Sequence, residues 1–453
     1  MSKKKSKLPG QSGRQTFVLC LRKYLTPAFY KQAHGAGRKR RRCRWELQPL
    51  LMVLLCMTWC QGDTQPERFE TARAFCVALA PKRRRPGKTI QGYQKALAAL
   101  PVFVLRAIAG LIRKQLLIRL GRFLKTDGWL VFGCDGSRLR CPRVAELEQR
   151  LGQAGGDSGP HTSPPQVWLT ALVHLRTGLL WSWRCGKGTA SERDHLGRLL
   201  PTLPAGALVV TDAGYQGYEL ACQIVDAGLA FLVRVSSQTM FYTPDALAVP
   251  LTQWRDGLVY YWPTDAQKEG LLPLPVRLLC VRSPRYKADV WLATSVLEEQ
   301  RLPLATAAQF YRMRWENEGF FRTYKRTLGK VKLLSRTVGL IHREVEGSLL
   351  AVQLLLAQGA EAVLLLGRKG AVSSPRQTLR LIRQEIEHVI RGRHKRGYQK
   401  RLATAQRERR ERSSSKVKRP WPGRADHKPP KPPKIRELND EQKVLFHKLL
   451  EAA

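Results

Sequence analysis

Negative charge is scarce in this sequence. Asp and Glu number 35 against 79 Lys and Arg, which leaves a formal net charge of +44 over 453 residues and a pI near 10.6. Self-repulsion on that scale is tolerable mainly beside a polyanion. Nucleic acid fits, because phosphate neutralisation with counterion release supplies affinity. An anionic membrane surface fits less well, since the cations run along the whole chain instead of flanking a span.

Long apolar runs are also missing. Leu47 to Trp59 is too short to span a bilayer. The basic cluster Arg38 to Arg44 ahead of it lies too far from residue 1 to open a signal peptide. Leu349 to Leu366 is longer, but Gln353, Gln358 and Glu361 interrupt it, as in a core helix. A soluble, cytoplasmic protein with no membrane partner is expected. The ten cysteines are scattered; Cys56 and Cys60 stand one helical turn apart, but no second Cys or His pair follows at zinc spacing. The thiols therefore read as reduced and buried, with no zinc site. There is no internal repeat.

Texture changes divide the chain. Residues 1–45 form a polar, basic N-terminal segment. Residues 46–125 carry helical patterns at Leu47 to Trp59, Pro66 to Leu79, Ile90 to Leu97 and Pro101 to Leu124, with Arg83-Arg84-Arg85-Pro86-Gly87 as a basic turn. This predicts a helical DNA-binding domain. Residues 126–236 alternate strands and helices, with a hairpin at Val167 to Leu175 and Leu179 to Cys185 around Arg176-Thr177-Gly178. Residues 237–289 hold three short β runs between Pro and Gly, which predicts a small β insertion. Residues 290–370 return to the α/β pattern and include helices from Ala305 to Leu328 and from Arg343 to Leu366. Residues 371–453 make a basic tail: Arg391 to Arg436 holds 18 Lys and Arg, with Ser413-Ser414-Ser415 and Pro429-Pro430-Lys431-Pro432-Pro433 among them. Too little apolar surface remains there to offset ordering, so the tail is expected to be disordered.

Chemistry concentrates in F-Y-R-M-R-W-E-N-E-G-F-F-R-T-Y-K-R. Tyr311, Arg314, Glu318 and Lys325 fall within roughly 60° of arc on a continuous α-helix. A carboxylate among cations suits a site that holds a metal ion and grips phosphate beside it. Arg314 and Glu318 are also an i,i+4 pair, a pattern that commonly decorates a solvated face, though Arg before Glu is the weaker order. Upstream, Asp135 in V-F-G-C-D-G-S-R-L and Asp212 in L-V-V-T-D-A-G-Y-Q-G-Y each end an apolar strand-like run. Ligand sites of open α/β sheets collect at such ends, and Gly136 and Gly214 leave room for a phosphate or metal. Turn formation or helix capping is the other reading of both aspartates. Three carboxylates can hold two Mg²⁺ ions about a scissile phosphate, one ion activating a water or 3′-hydroxyl and the other stabilising the leaving oxygen.

These motifs resemble the DDE transposases of bacterial insertion sequences with the signature Y-x2-R-x3-E-x6-K, over about residues 125–365. Tyr311, Arg314, Glu318 and Lys325 fit that spacing without a gap; Asp135 matches in C-D-G-S and Asp212 in D-x-G-Y-x-G. Ala213 departs from the Arg that many relatives carry there. The resemblance implies a ribonuclease H-like α/β core with a β-strand insertion, a helical N-terminal domain before it and cut-and-paste transposition as the activity. It implies Asp135, Asp212 and Glu318 as catalytic metal ligands for two Mg²⁺ ions, with Mn²⁺ as a substitute. Tyr311, Arg314 and Lys325 would contact DNA phosphate near the transposon end. Double-stranded DNA, as transposon end and as target, is the implied partner, with a homodimer in the DNA complex and a nucleoid-associated location. Trp254 and Trp262 read as core residues. A structure-specific nuclease on the same fold, or an inactive DNA-binding descendant, are the alternatives.

Overall fold

The computed structural model describes residues 16–34, 45–80, 85–152, 163–247, 249–282, 289–368, 370–393, 395–407 and 431–452. The basic turn at 83–84 and residues 408–430 of the tail lie outside them. The chain divides into two compact units that interleave in sequence. One comprises Met1–Leu124, Gly136–Ala190 and Glu318–Arg407; the other comprises Lys125–Asp135, Ser191–Asn317 and Glu408–Ala453.

The first unit is mainly helical. Its first helices span Phe17–Tyr24, Pro27–His34, Leu47–Trp59, Gln65–Leu79, Ile90–Ala98 and Val102–Leu124. Thr16, Thr64 and Thr89 cap three of them by accepting an amide of the first turn. On Val102–Leu124, the buried residues Leu105, Ile108, Ile112, Leu116, Leu120 and Leu124 recur every three or four positions, so one stripe faces the core. Helix Phe17–Tyr24 lies within the segment expected to be merely basic and polar; Phe17, Cys20, Leu21 and Tyr24 bury one face of it.

The centre of this unit is the 29-residue helix Val338–Leu366, capped by Thr337. It is long and apolar enough to cross a membrane, but 83% of its most apolar stretch is buried inside the protein, as its polar interruptions predict. Its three buried carboxylates are all partnered. Glu361 pairs with Arg119 and accepts from Tyr24 Oη at 2.6 Å. Glu346 accepts from Arg106 at 2.6 Å and from Trp183 Nε1 at 2.7 Å. Glu344 accepts from Lys330 Nζ at 3.1 Å and from the backbone amides of Leu334 and Ser335.

The expected disorder from residue 371 is corrected over two stretches. Helix Pro375–Ile390 buries Leu379, Ile382, Ile386 and Val389. Helix Tyr398–Thr404 follows, with Tyr398 fully buried, its ring 5.3 Å from that of Phe17. Charge counts along the tail hide this amphipathic spacing. In the second unit, Lys434–Glu437 is a strand and Asp440–Glu451 a helix whose Phe446 packs with Trp262, Tyr242 and Leu438.

The strands, in chain order, are β1 (Val131–Arg140), β2 (Gln166–His174), β3 (Leu179–Lys187), β4 (Leu208–Thr211), β5 (Ala230–Arg234), β6 (Met240–Thr243), β7 (Asp256–Tyr261), β8 (Leu274–Val281), β9 (Val290–Thr294) and β10 (Lys434–Glu437). β2 and β3 form the expected antiparallel hairpin, with Gly178 at φ 68° in its turn. In the second unit the order is β10-β6-β7-β8-β9-β5-β4-β1. β1, β4 and β5 run parallel, and β9, β8 and β7 continue antiparallel. The fold is mixed α/β. The run expected as an insertion contributes β6, β7 and β8 to this same sheet, because their backbone groups pair onward from β9. Trp254 and Trp262 are buried and donate Nε1 to the carbonyls of Leu278 and Leu271, as core residues do.

Candidate active site

Asp135 and Asp212 are brought level by strand register. β1 and β4 are parallel neighbours, with Val131 opposite Leu208, Phe132 opposite Val209 and Gly133 opposite Val210. Continuing that register by two residues on each strand sets Asp135 opposite Asp212. Adjacent strands lie about 4.8 Å apart, and equivalent positions point to the same face. β4 ends at Thr211, whereas β1 runs on to Arg140, so Asp135 does not end its strand; what ends at Cys134 is the fully buried stretch. Next to Asp135 in the chain, burial pushes the Cys134 thiol up, and the charges of Asp135, Glu192 and Asp212 push it further. Glu192 is thus a further carboxylate whose charge reaches Cys134. It escapes sequence reading because it follows Ser191, the N-cap of helix Glu192–Gly197, and looks like ordinary first-turn acid.

Asp212 does two things. Its Oδ1 accepts from the amide of Gly214 at 3.0 Å and caps the short 3₁₀ turn Ala213–Tyr215, so the turn-forming reading is realised. Its Oδ2 faces Arg314 Nη1 at 4.0 Å. Arg193, also missed in the sequence, donates Nε to the carbonyl of Gly214 at 3.1 Å.

The continuous helix predicted over Ala305 to Leu328 is corrected. Leu304–Met313 stops at Arg314, Trp315–Arg322 begins after it, and Thr323–Thr327 is a π-helical turn. Around Arg314 the amides bond three residues back, Arg314 to Tyr311 and Asn317 to Arg314, tightening the chain. A tight turn and a wide turn both break the uniform angular step, so the 60° stripe does not describe this segment. The guanidinium of Arg314 lies 5.6 Å from the Tyr311 ring centroid and 5.8 Å from that of Trp315. Tyr311, Arg314, Asp135 and Asp212 belong to the second unit.

Glu318 and Lys325 belong to the first unit. Glu318 is partly buried on helix Trp315–Arg322. Lys325 sits in the π-helical turn and donates Nζ to Ser137 Oγ at 2.6 Å. Burial, and then the neighbouring Arg140, hold its pKa below the ordinary lysine value. Ser137 follows Asp135 on β1, so the short C-D-G-S motif is where this lysine anchors. The reading of Gly136 as room for a ligand is corrected: a Cβ there would meet the Trp168 ring at 2.7 Å, so the glycine accommodates that indole. Arg138 lies over the same indole, 4.6 Å from the ring centroid.

Mg²⁺ takes hard oxygen ligands and is commonly held by one or two carboxylates, with substrate phosphates and waters completing its shell. The level pair Asp135 and Asp212 suits that chemistry. Among the described residues, no three His, Cys, Asp or Glu side chains gather closely enough to hold an ion with protein ligands alone.

Comparison with known proteins adds a class to this geometry. Residues 135–354 match the family described as a transposase DDE domain, a span that starts at Asp135 and takes in Asp212, Tyr311, Arg314, Glu318 and Lys325. Among solved structures, piggyBac transposase in a synaptic complex with hairpin DNA aligns at 13% identity and a TM-score of 0.41, over 83% of this chain and 81% of that one. No curated protein matches the chain.

Proposed function

We propose that this chain is a DDE transposase that cleaves transposon ends and joins them to target DNA, working as a homodimer on double-stranded DNA. The observation that carries this reading is the level pair Asp135 and Asp212 at the head of a segment that matches a transposase DDE domain. Asp135, Asp212 and Glu318 would hold Mg²⁺, which when bound activates the attacking oxygen and stabilises the leaving one. The chain's own groups do the rest. Arg314 would grip a phosphate through its forked donors, with Tyr311 against its guanidinium, and Lys325 would offer a point charge. The excess of cations supplies affinity for the duplex.

A labelled transposon end with a target plasmid tests the reading. Asp135→Asn, Asp212→Asn and Glu318→Gln are each expected to abolish Mg²⁺-dependent nicking while DNA binding persists. Wild-type nicking by any of them removes that residue from the site. Arg314→Ala and Lys325→Ala are expected to reduce joining more than nicking. A purified protein that nicks the end but never yields joined product is a nuclease instead.

A further inference from the structure

We propose that Asn317 is a positioning residue for Arg314, its amide oxygen being the acceptor to which the arginine Nε–H turns when Asp212 takes a cation. Asn317 is 0% exposed, and neither its Oδ1 nor its Nδ2 has a hydrogen-bond partner among the described residues. Arg314 Nε is likewise buried without a partner among them. The two residues are three apart and joined by the bond from the Asn317 amide to the Arg314 carbonyl, at 3.0 Å. In a turn closed by bonds three residues back, side chains three apart lie one above the other, so an unused donor and an unused acceptor stand on one turn.

A buried amide with both ends unpaired destabilises the fold it sits in, and an aliphatic side chain would fill the position without that cost. Such a burden points to work done in another arrangement. Arg314 is held in a way that permits one. Its ion pair among the described residues is the 4.0 Å approach to Asp212, and two aromatic faces hold it without fixed direction. A divalent cation on Asp212 repels a guanidinium at that carboxylate. Asn317 Oδ1 gives the displaced Arg314 a neutral acceptor one turn away, which leaves its Nη groups available for phosphate. This inference rests on the metal reading of Asp212 given above.

The test is Mn²⁺ titration of the full chain without DNA, alongside thermal melting of the metal-free protein. Asn317→Leu is expected to bind Mn²⁺ roughly ten-fold or more weakly, as loss of a partner behind a metal ligand commonly does, while its melting temperature stays level or rises. In an Arg314→Gln background, Asn317→Leu is expected to change Mn²⁺ affinity no further. Asn317→Met serves if the leucine variant does not fold. Wild-type Mn²⁺ affinity in the Asn317 variant, with Asp212→Asn weakened, overturns the inference alone. Wild-type affinity in Asp212→Asn overturns the metal reading, and the inference with it.

Discussion

Lys325 shows how one side chain carries two opposed pH dependences. Burial and Arg140 hold its pKa below 10.5, so the folded chain gives up this proton earlier than the unfolded one. Between the folded and unfolded values the unfolded state binds more protons, so this group makes stability rise with pH there. A phosphate contact through the ammonium changes the other way, because its charge disappears over the same window. Affinity for the transposon end, followed by anisotropy on the alkaline side below pH 10.5, is expected to fall in the wild type and to hold steady in Lys325→Arg, which stays charged. Parallel declines in both proteins would remove Lys325 from the phosphate contact. Ser137 accepts from this lysine, and its place directly after the Asp135-Gly136 pair makes the motif structural as well as chemical.

At the scale of elements, Glu344 joins pieces that local sequence does not join. The segment after the π-helical turn bonds to the end of β1, Leu333 donating to the Arg140 carbonyl at 2.8 Å, and to Glu344 on the central helix. Burial alone would raise the Glu344 carboxyl, but Lys330 and the amides of Ser335 and Leu334 together draw it below the usual carboxylate range. With a depressed folded value, its contribution is complete above the unfolded pKa of about 4.5 and is lost as pH falls through the folded value. Glu344→Gln leaves Lys330 buried without its counter-charge and is expected to cost roughly 3–5 kcal/mol in urea unfolding near neutral pH. A loss no larger than that of a surface pair, roughly 1 kcal/mol or less, would show that the clamp is dispensable.

For the whole molecule the net charge of +44 sets the terms of association. The cations of the C-terminal region divide into those on packed elements, such as Arg401, which pairs with Glu385, and those at 408–430. Truncation from residue 391 would remove Tyr398 and Phe446 from two cores, so replacing the Lys and Arg of 408–430 with Gln is the cleaner experiment. The slope of log affinity against log salt is expected to flatten by about 0.9 for each phosphate that this segment neutralises in the wild type. An unchanged slope means that the segment does not touch DNA.

The alternation of strands and helices, the β2–β3 hairpin and the central helix were legible in the sequence. Each depends on local spacing, which needs no tertiary information. Asp135 and Asp212 were legible as residues following apolar runs, but only the parallel pairing of β1 with β4 made them level neighbours. Three features lay beyond local pattern. The break at Arg314 and the π-helical turn at Thr323–Thr327 set aside the uniform helical step that the Tyr311 to Lys325 spacing assumes. Gly136 owes its identity to Trp168, a residue on another strand. Helix Tyr398–Thr404 orders despite its charge because Tyr398 reaches Phe17 at the far end of the chain. Local propensity and charge are properties of neighbours in sequence; which side chain fills which space is decided by the meeting of distant residues, and only the folded chain brings them together.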